Sequence, residues 1–134
     1  MSILTLGMAF AAAPASAHTY SCGLVNPKQV NIEVYDGNNL TLYMDWDCNS
    51  DTDYSTGLDG CCGNINNFTS SISLRGRTGE TWCVRFFTGF AYGGSKLTYR
   101  VHNGADVHIN TLPSGFNNAI SSHNQYRVDW NAQC

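Results

Sequence analysis

The sequence predicts an all-β sandwich of two Greek-key motifs, stabilised by disulfides. Three observations carry that prediction. Apolar residues alternate with polar ones in short runs, as in Val30-Asn31-Ile32-Glu33-Val34. Gly, Asn, Asp and Ser separate the runs, and helix signals are almost absent beyond the first residues. One stretch of the first half also recurs in the second. Period-two alternation over short runs marks half-buried antiparallel strands, and the interposed residues mark turns.

After Val30–Val34, the alternation returns in Leu40-Thr41-Leu42, in Ile72-Ser73-Leu74 and in Val107-His108-Ile109. The recurring stretch is Asn66-Asn67-Phe68-Thr69-Ser70-Ser71, seen again as Asn117-Asn118-Ala119-Ile120-Ser121-Ser122. The displacement is 117 − 66 = 51 residues. Upstream, Val34-Tyr35 is echoed by Val84 to Phe87 at nearly the same offset. Stacked repeat arrays generally need about three units or more. Two copies fit better as two Greek keys packed face to face, at about 28–75 and 80–128, since neither half alone buries its apolar face. No Pro- or Ser-rich linker divides them, so one domain over 18–134 is expected.

The first 17 residues, MSILTLGMAFAAAPASA, carry no charge. An apolar stretch from Ile3 to Ala13 precedes Pro14 and the small-residue signal Ala15-Ser16-Ala17. It is too short for the roughly 20 apolar residues of a membrane span and is read as a secretory signal peptide. Removal leaves 134 − 17 = 117 residues beginning at His18. All six cysteines (Cys22, Cys48, Cys61, Cys62, Cys83 and Cys134) follow that cut. An even count in a small secreted chain reads as three disulfides, with the pairing open. A zinc cage is disfavoured because no C-x-x-C occurs and Cys61-Cys62 are adjacent. Cys22 and Cys134, near the two mature ends, are expected to tie down the termini.

Charged residues are 13% of the chain, about half the usual share, and the net charge is −3. No run of Lys or Arg is present, which argues against nucleic-acid partners. No G-x-S-x-G or H-E-x-x-H occurs, so a non-enzyme is expected. Asn, Ser, Thr and Gly fill the place of charge.

Each N-N-x-x-S-S segment gathers amides and hydroxyls at a turn. Calcium is a hard cation that takes about 6–8 oxygen ligands, and amide oxygens, hydroxyls and exposed carbonyls all qualify. One such turn is explained equally well by local side-chain hydrogen bonds. Two in register favour ligation. Neutral donors imply modest affinity.

At these residues the chain resembles the βγ-crystallin family. The family's calcium signature, N/D-N/D-x-x-S/T-S, is matched by both copies at every specified position. Its aromatic corner is matched in the second half by Phe87, Tyr92 and Gly94; in the first, Tyr35 is followed by Leu40 and Leu42 where an aromatic and a Gly are expected. The resemblance covers roughly Val30 to Ser122. It implies two calcium sites, one using Asn67, the Phe68 carbonyl and Ser70, the other Asn118, the Ala119 carbonyl and Ser121. Asn66 and Asn117 would brace the loops. A carbonyl from the partner hairpin completes each site, assigned to Thr88 for the first and Asp36 for the second. It further implies a secreted, monomeric structural module, with an antimicrobial or killer-toxin-like role against a cell-surface or protein target. A protease inhibitor on the same fold is the alternative.

Four other signals stand apart from this reading. Asp45 to Asp53 imitates the start of an EF-hand loop, but Ser50 replaces the turn Gly and Thr56 the bidentate Glu, so a solvated acidic loop is expected. His18, as a mature N-terminus, suggests a copper-binding alternative with His102, His108 or His123 as second ligand. Asn39 and Asn67 begin N-x-T glycosylation sequons. Trp46, Tyr54, Phe90 and Tyr92 are candidate exposed aromatics for contact with a partner, and core packing explains most of them equally well.

Overall fold

Alternation in the first strand sends Val30, Ile32 and Val34 to one face, where all three are fully buried. The computed structural model describes residues 29–58 and 63–134. Seven strands follow in order: β1 (Asn31–Gly37), β2 (Thr41–Asp47), β3 (Ser71–Arg75), β4 (Thr81–Phe87), β5 (Lys96–His102), β6 (Asp106–Ile109) and β7 (Ser122–Val128). Helix among the described residues is limited to two 3₁₀ turns, Tyr54–Thr56 and Phe90–Tyr92. The leader, His18, Cys22, Cys61 and Cys62 lie outside the described residues.

The strands form two antiparallel sheets, ordered β2-β1-β3-β6 and β5-β4-β7. The two Greek keys exchange a strand. β6 belongs to the second half by sequence, yet it pairs with β3 of the first. Reciprocally, Asp51 of the first half bridges to His123 at the free edge of β7. The counterpart of β6 is thus reduced to a single bridge. Each apolar face is covered by the other half, which is the reason the two copies interlock.

Between the sheets lie Ile32 and Val34 of β1, Ile72 and Leu74 of β3, and Trp82, Val84 and Phe86 of β4. Burying each aliphatic side chain contributes roughly 1.5–3 kcal/mol relative to leaving it exposed. Cys83 pairs with Cys134, with Cα atoms 5.7 Å apart, so the C-terminal residue is anchored to the middle of the second sheet. Cys48 is also disulfide-bonded.

Not all polar positions face water. Glu33 is buried, accepting from the Tyr35 hydroxyl at 2.7 Å and from the Asn31 amide at 3.3 Å. Of the four candidate aromatics, Tyr54 is fully buried as core packing would have it, and Trp46 is half-buried; Phe90 and Tyr92 are exposed. The acidic segment is also not simply solvated: Asp45 and Asp47 are buried in β2. Asp45 accepts from the Trp46 and Leu58 amides, and Asp47 from the Asn49 amide. Asp53 caps the first 3₁₀ turn by accepting from Ser55 N. These carboxylates accept from backbone N–H groups, as turn-forming Asp commonly does.

Candidate metal centre

Both N-N-x-x-S-S loops sit at one end of the sandwich and face each other across an approximate two-fold relation. Asn67 and Asn118, the second residue of each, adopt φ of 63° and 53°. Asn tolerates this left-handed conformation better than most side chains. Each then sends its backbone N–H into the opposite loop: Asn67 N to Ile120 O at 3.1 Å, and Asn118 N to Thr69 O at 2.9 Å. The fifth residues keep the same symmetry but bond within their own halves, with Ser70 N donating to Tyr35 O at 2.8 Å and Ser121 N to Phe87 O at 2.9 Å.

Side-chain oxygens meet across the same boundary. Ser70 Oγ donates to Asn118 Oδ1 at 2.8 Å. Ser121 Oγ lies 3.4 Å from Asn67 Oδ1 and 3.2 Å from the Thr88 carbonyl. The structure therefore brings Asn67, Ser121 and Thr88 together, and Asn118 with Ser70. Sequence reasoning grouped each Asn with the Ser of its own loop instead. Asp36 is exposed next to Tyr35 near the end of β1. The Phe68 and Ala119 carbonyls accept no hydrogen bond from the described residues, and both residues lie at turns. Asn66 Oδ1 is buried without a partner. Asn117 donates its N–H to Pro113 O at 3.2 Å, bracing the second loop.

The sixth serines hold the neighbouring hairpins, a role that sequence reasoning did not assign. Ser71 Oγ donates to Gly37 O at 2.5 Å and accepts from Leu40 N at 3.0 Å. Ser122 Oγ donates to Gly89 O at 2.6 Å and accepts from Tyr92 N at 3.2 Å. The signal was present as two serines at one offset. In the second hairpin the Phe87 and Tyr92 rings pack at a tilt with centroids 5.5 Å apart, and Gly94 takes φ of 77°. The first hairpin keeps the same backbone with the wrong residues: Leu40 and Leu42 take φ of 55° and 53°. Tyr35, lacking an aromatic at Leu40, meets Tyr43 edge-on at 5.7 Å instead.

The donor set is all neutral: two hydroxyls, two amide oxygens and several carbonyls. Oxygens on a calcium ion ligated at 2.3–2.6 Å sit about 3.3–3.7 Å apart when roughly at right angles. The 3.4 Å spacing of Ser121 Oγ and Asn67 Oδ1 falls in that range, whereas the 2.8 and 3.2 Å spacings are those of direct hydrogen bonds. An unpartnered buried Asn66 oxygen and free turn carbonyls add to the fit. Among the described residues, no group of three or more His, Cys, Asp or Glu is placed to hold a metal.

The copper candidates fare differently. His123 is fully buried, with Nδ1 2.8 Å from the Tyr54 hydroxyl and Nε2 2.8 Å from Asn49 O, so it is enclosed rather than offered to a metal. His102 Nδ1 is held by Thr81 Oγ1 at 2.7 Å. His108 stands exposed on β6.

Two interlocked Greek keys with a cross-bonded polar loop pair define a double Greek-key domain. Comparison with solved structures gives that architecture a name. A structure from work on the evolution of the eye lens βγ-crystallin domain fold superposes with a TM-score of 0.53 at 19% identity, covering 78% of this chain and 92% of that one. A βγ-crystallin domain from Clostridium beijerinckii matches at 0.50 and 16%, covering 74% and 98%. A βγ-crystallin from an archaeon matches at 0.50 and 20%, covering 74% and 100%. No family model and no curated protein matches the sequence. The chain has the βγ-crystallin domain fold.

Proposed function

We propose that the protein is a calcium-binding structural module, with two sites formed by the facing loops. The observation that carries this reading is the oxygen cluster of Ser121, Asn67 and Thr88, with its counterpart at Ser70 and Asn118. Each site draws on both halves, so a bound cation ties one Greek key to the other. Two neutral hydroxyls and two amides make weak ligands, and a dissociation constant of about 10⁻⁴–10⁻³ M is expected, as for extracellular modules. At about 1 mM calcium, a site of about 10⁻⁴ M stabilises the fold by roughly 1.4 kcal/mol. Calcium then acts as a stabiliser and not as a switch.

The leader-like first residues and the disulfide support secretion, and among the described residues no helix is long and apolar enough to cross a membrane. A monomer acting in defence or competition outside the cell is the biological setting proposed here, resting on fold analogy alone. The test is a calcium titration by calorimetry combined with thermal melts. Calcium is expected to raise the melting temperature, and Ser70→Arg with Ser121→Arg to abolish the shift. Absence of any binding heat and any melting shift in the wild type sinks the reading.

A further inference from the structure

We propose that a cleft beside the C-terminal tail, away from the paired loops, binds a neutral saccharide. The cleft holds about 600 Å³ and is walled by Glu80, Thr81, Arg127, Asp129 and Trp130. Small-molecule sites usually fall within about 300–1,000 Å³ and combine an apolar surface with a few placed polar groups.

Trp130 is the apolar surface. It is 44% exposed, yet its surroundings are fixed. Its carbonyl accepts from Arg100 Nη2 at 2.9 Å and from Thr81 Oγ1 at 3.3 Å, and Arg100 Nε holds the Ala132 carbonyl at 3.0 Å. The ring meets the His102 ring at 4.3 Å, and the Cys83–Cys134 disulfide closes the tail two residues beyond Ala132. A ring held in place before a ligand arrives loses little freedom on binding, which favours affinity.

The polar groups choose the ligand. Glu80 Oε2 accepts from Trp82 Nε1 at 2.8 Å, while its Oε1 stands 3.7 Å from Arg127 Nη1. A carboxylate has about four acceptor positions and a guanidinium five donors, so both retain capacity. Acceptor and donor side by side suit adjacent hydroxyls, each of which gives and takes a hydrogen bond. Both signs of charge wall the cleft, so no charged ligand meets a uniform counter-charge. Glu80 and Asp129 repel an anion, and Arg127 opposes the cation that an indole face would otherwise attract. What remains is an uncharged, hydroxyl-rich ring with one apolar face to lie on Trp130. An open cleft with a single aromatic fits affinity near the millimolar end of the scale.

The experiment titrates the full chain to about 10 mM with cellohexaose, chitohexaose and mannohexaose, following the Trp130 indole resonance. At least one is expected to give a saturable shift, unchanged when calcium is chelated. Trp130→Ala is expected to weaken binding at least tenfold and Trp130→Phe less. Phe90→Ala, an equally exposed ring outside the cleft, is expected to leave it unchanged. No saturable shift with any of the three overturns the proposal, as does full binding by a Trp130→Ala variant that melts like the wild type. Should that variant fail to fold, shifts in the wild type centred away from Trp130, Glu80 and Arg127 overturn it equally.

Discussion

Ser70 donates a hydrogen bond to Asn118 across 2.8 Å, although 48 residues separate them in sequence. The pair spans the boundary between the two halves, and its counterpart, Ser121 with Asn67, spans it in reverse. Replacing one amide oxygen with a carboxylate adds a formal charge to the proposed calcium site, whose donors are neutral. Asn118→Asp is therefore expected to tighten calcium binding by about tenfold, near 1.4 kcal/mol. Calorimetry reads this directly, and an unchanged affinity counts against Asn118 as a ligand.

Leu42 carries backbone strain in the first hairpin. Its φ of 53° lies in the left-handed region, and its side chain is 70% exposed, so little packing offsets the strain. The equivalent position in the second half is Gly94, where no Cβ is present to clash. Leu42→Gly is expected to be more stable than Leu42→Ala by about 1 kcal/mol, the reverse of the usual order in a strand. Urea denaturation of the two variants decides it.

The Tyr54–His123 contact is the buried polar centre of the second sheet's edge. Removing the hydroxyl leaves His123 Nδ1 without its 2.8 Å partner in a site closed to water. Tyr54→Phe is expected to cost about 1–3 kcal/mol in chemical denaturation.

Tyr54 also predicts an alkaline limit. Burial first, then the carboxylates of Asp47, Asp51 and Asp45, hold its phenol well above the ordinary value of 10.0. Tyr35 is likewise raised, by burial and then by Glu33. A group with a raised folded-state pKa contributes stability that is complete below the unfolded value and lost as pH rises past it. Melting temperature is thus expected to fall above about pH 10, and to fall less steeply in Tyr54→Phe.

Cys83→Ala with Cys134→Ala opens a loop of 51 residues' separation. The expected loss is about 4 kcal/mol by the chain-entropy estimate. Hydrogen exchange at the tail should rise in parallel, because only the Arg100 and Thr81 hydrogen bonds and the His102–Trp130 ring contact then tie it to the sheet.

Much of this was legible in the sequence. Val30–Val34, Ile72–Leu74 and Val107–Ile109 each announce a strand by alternation, and the repeated Asn-Asn and Ser-Ser pairs locate the loops. β7 was not marked, because Ser122, His123, Asn124 and Gln125 carry little apolar signal; the inward-facing His123 is buried through hydrogen bonds instead. Asp45 and Asp47 misled for the same reason, as carboxylates satisfied by backbone amides look solvated in sequence. The strand exchange was also hidden, since alternation tells which face a residue takes but not which sheet receives the strand. The pairing of Asn67 with Ser121 follows from that exchange and was equally out of reach.

The exchange of β6 has a consequence for how the chain can be divided. A first half expressed alone would end with β3 lacking its neighbour, and a second half would carry β6 with nothing to pair against. Cleaved at the turn between β3 and β4, the two pieces are expected to be unstructured apart and to reassemble when mixed, as an obligate heterodimer. Two repeats that share their edges this way fold together or not at all.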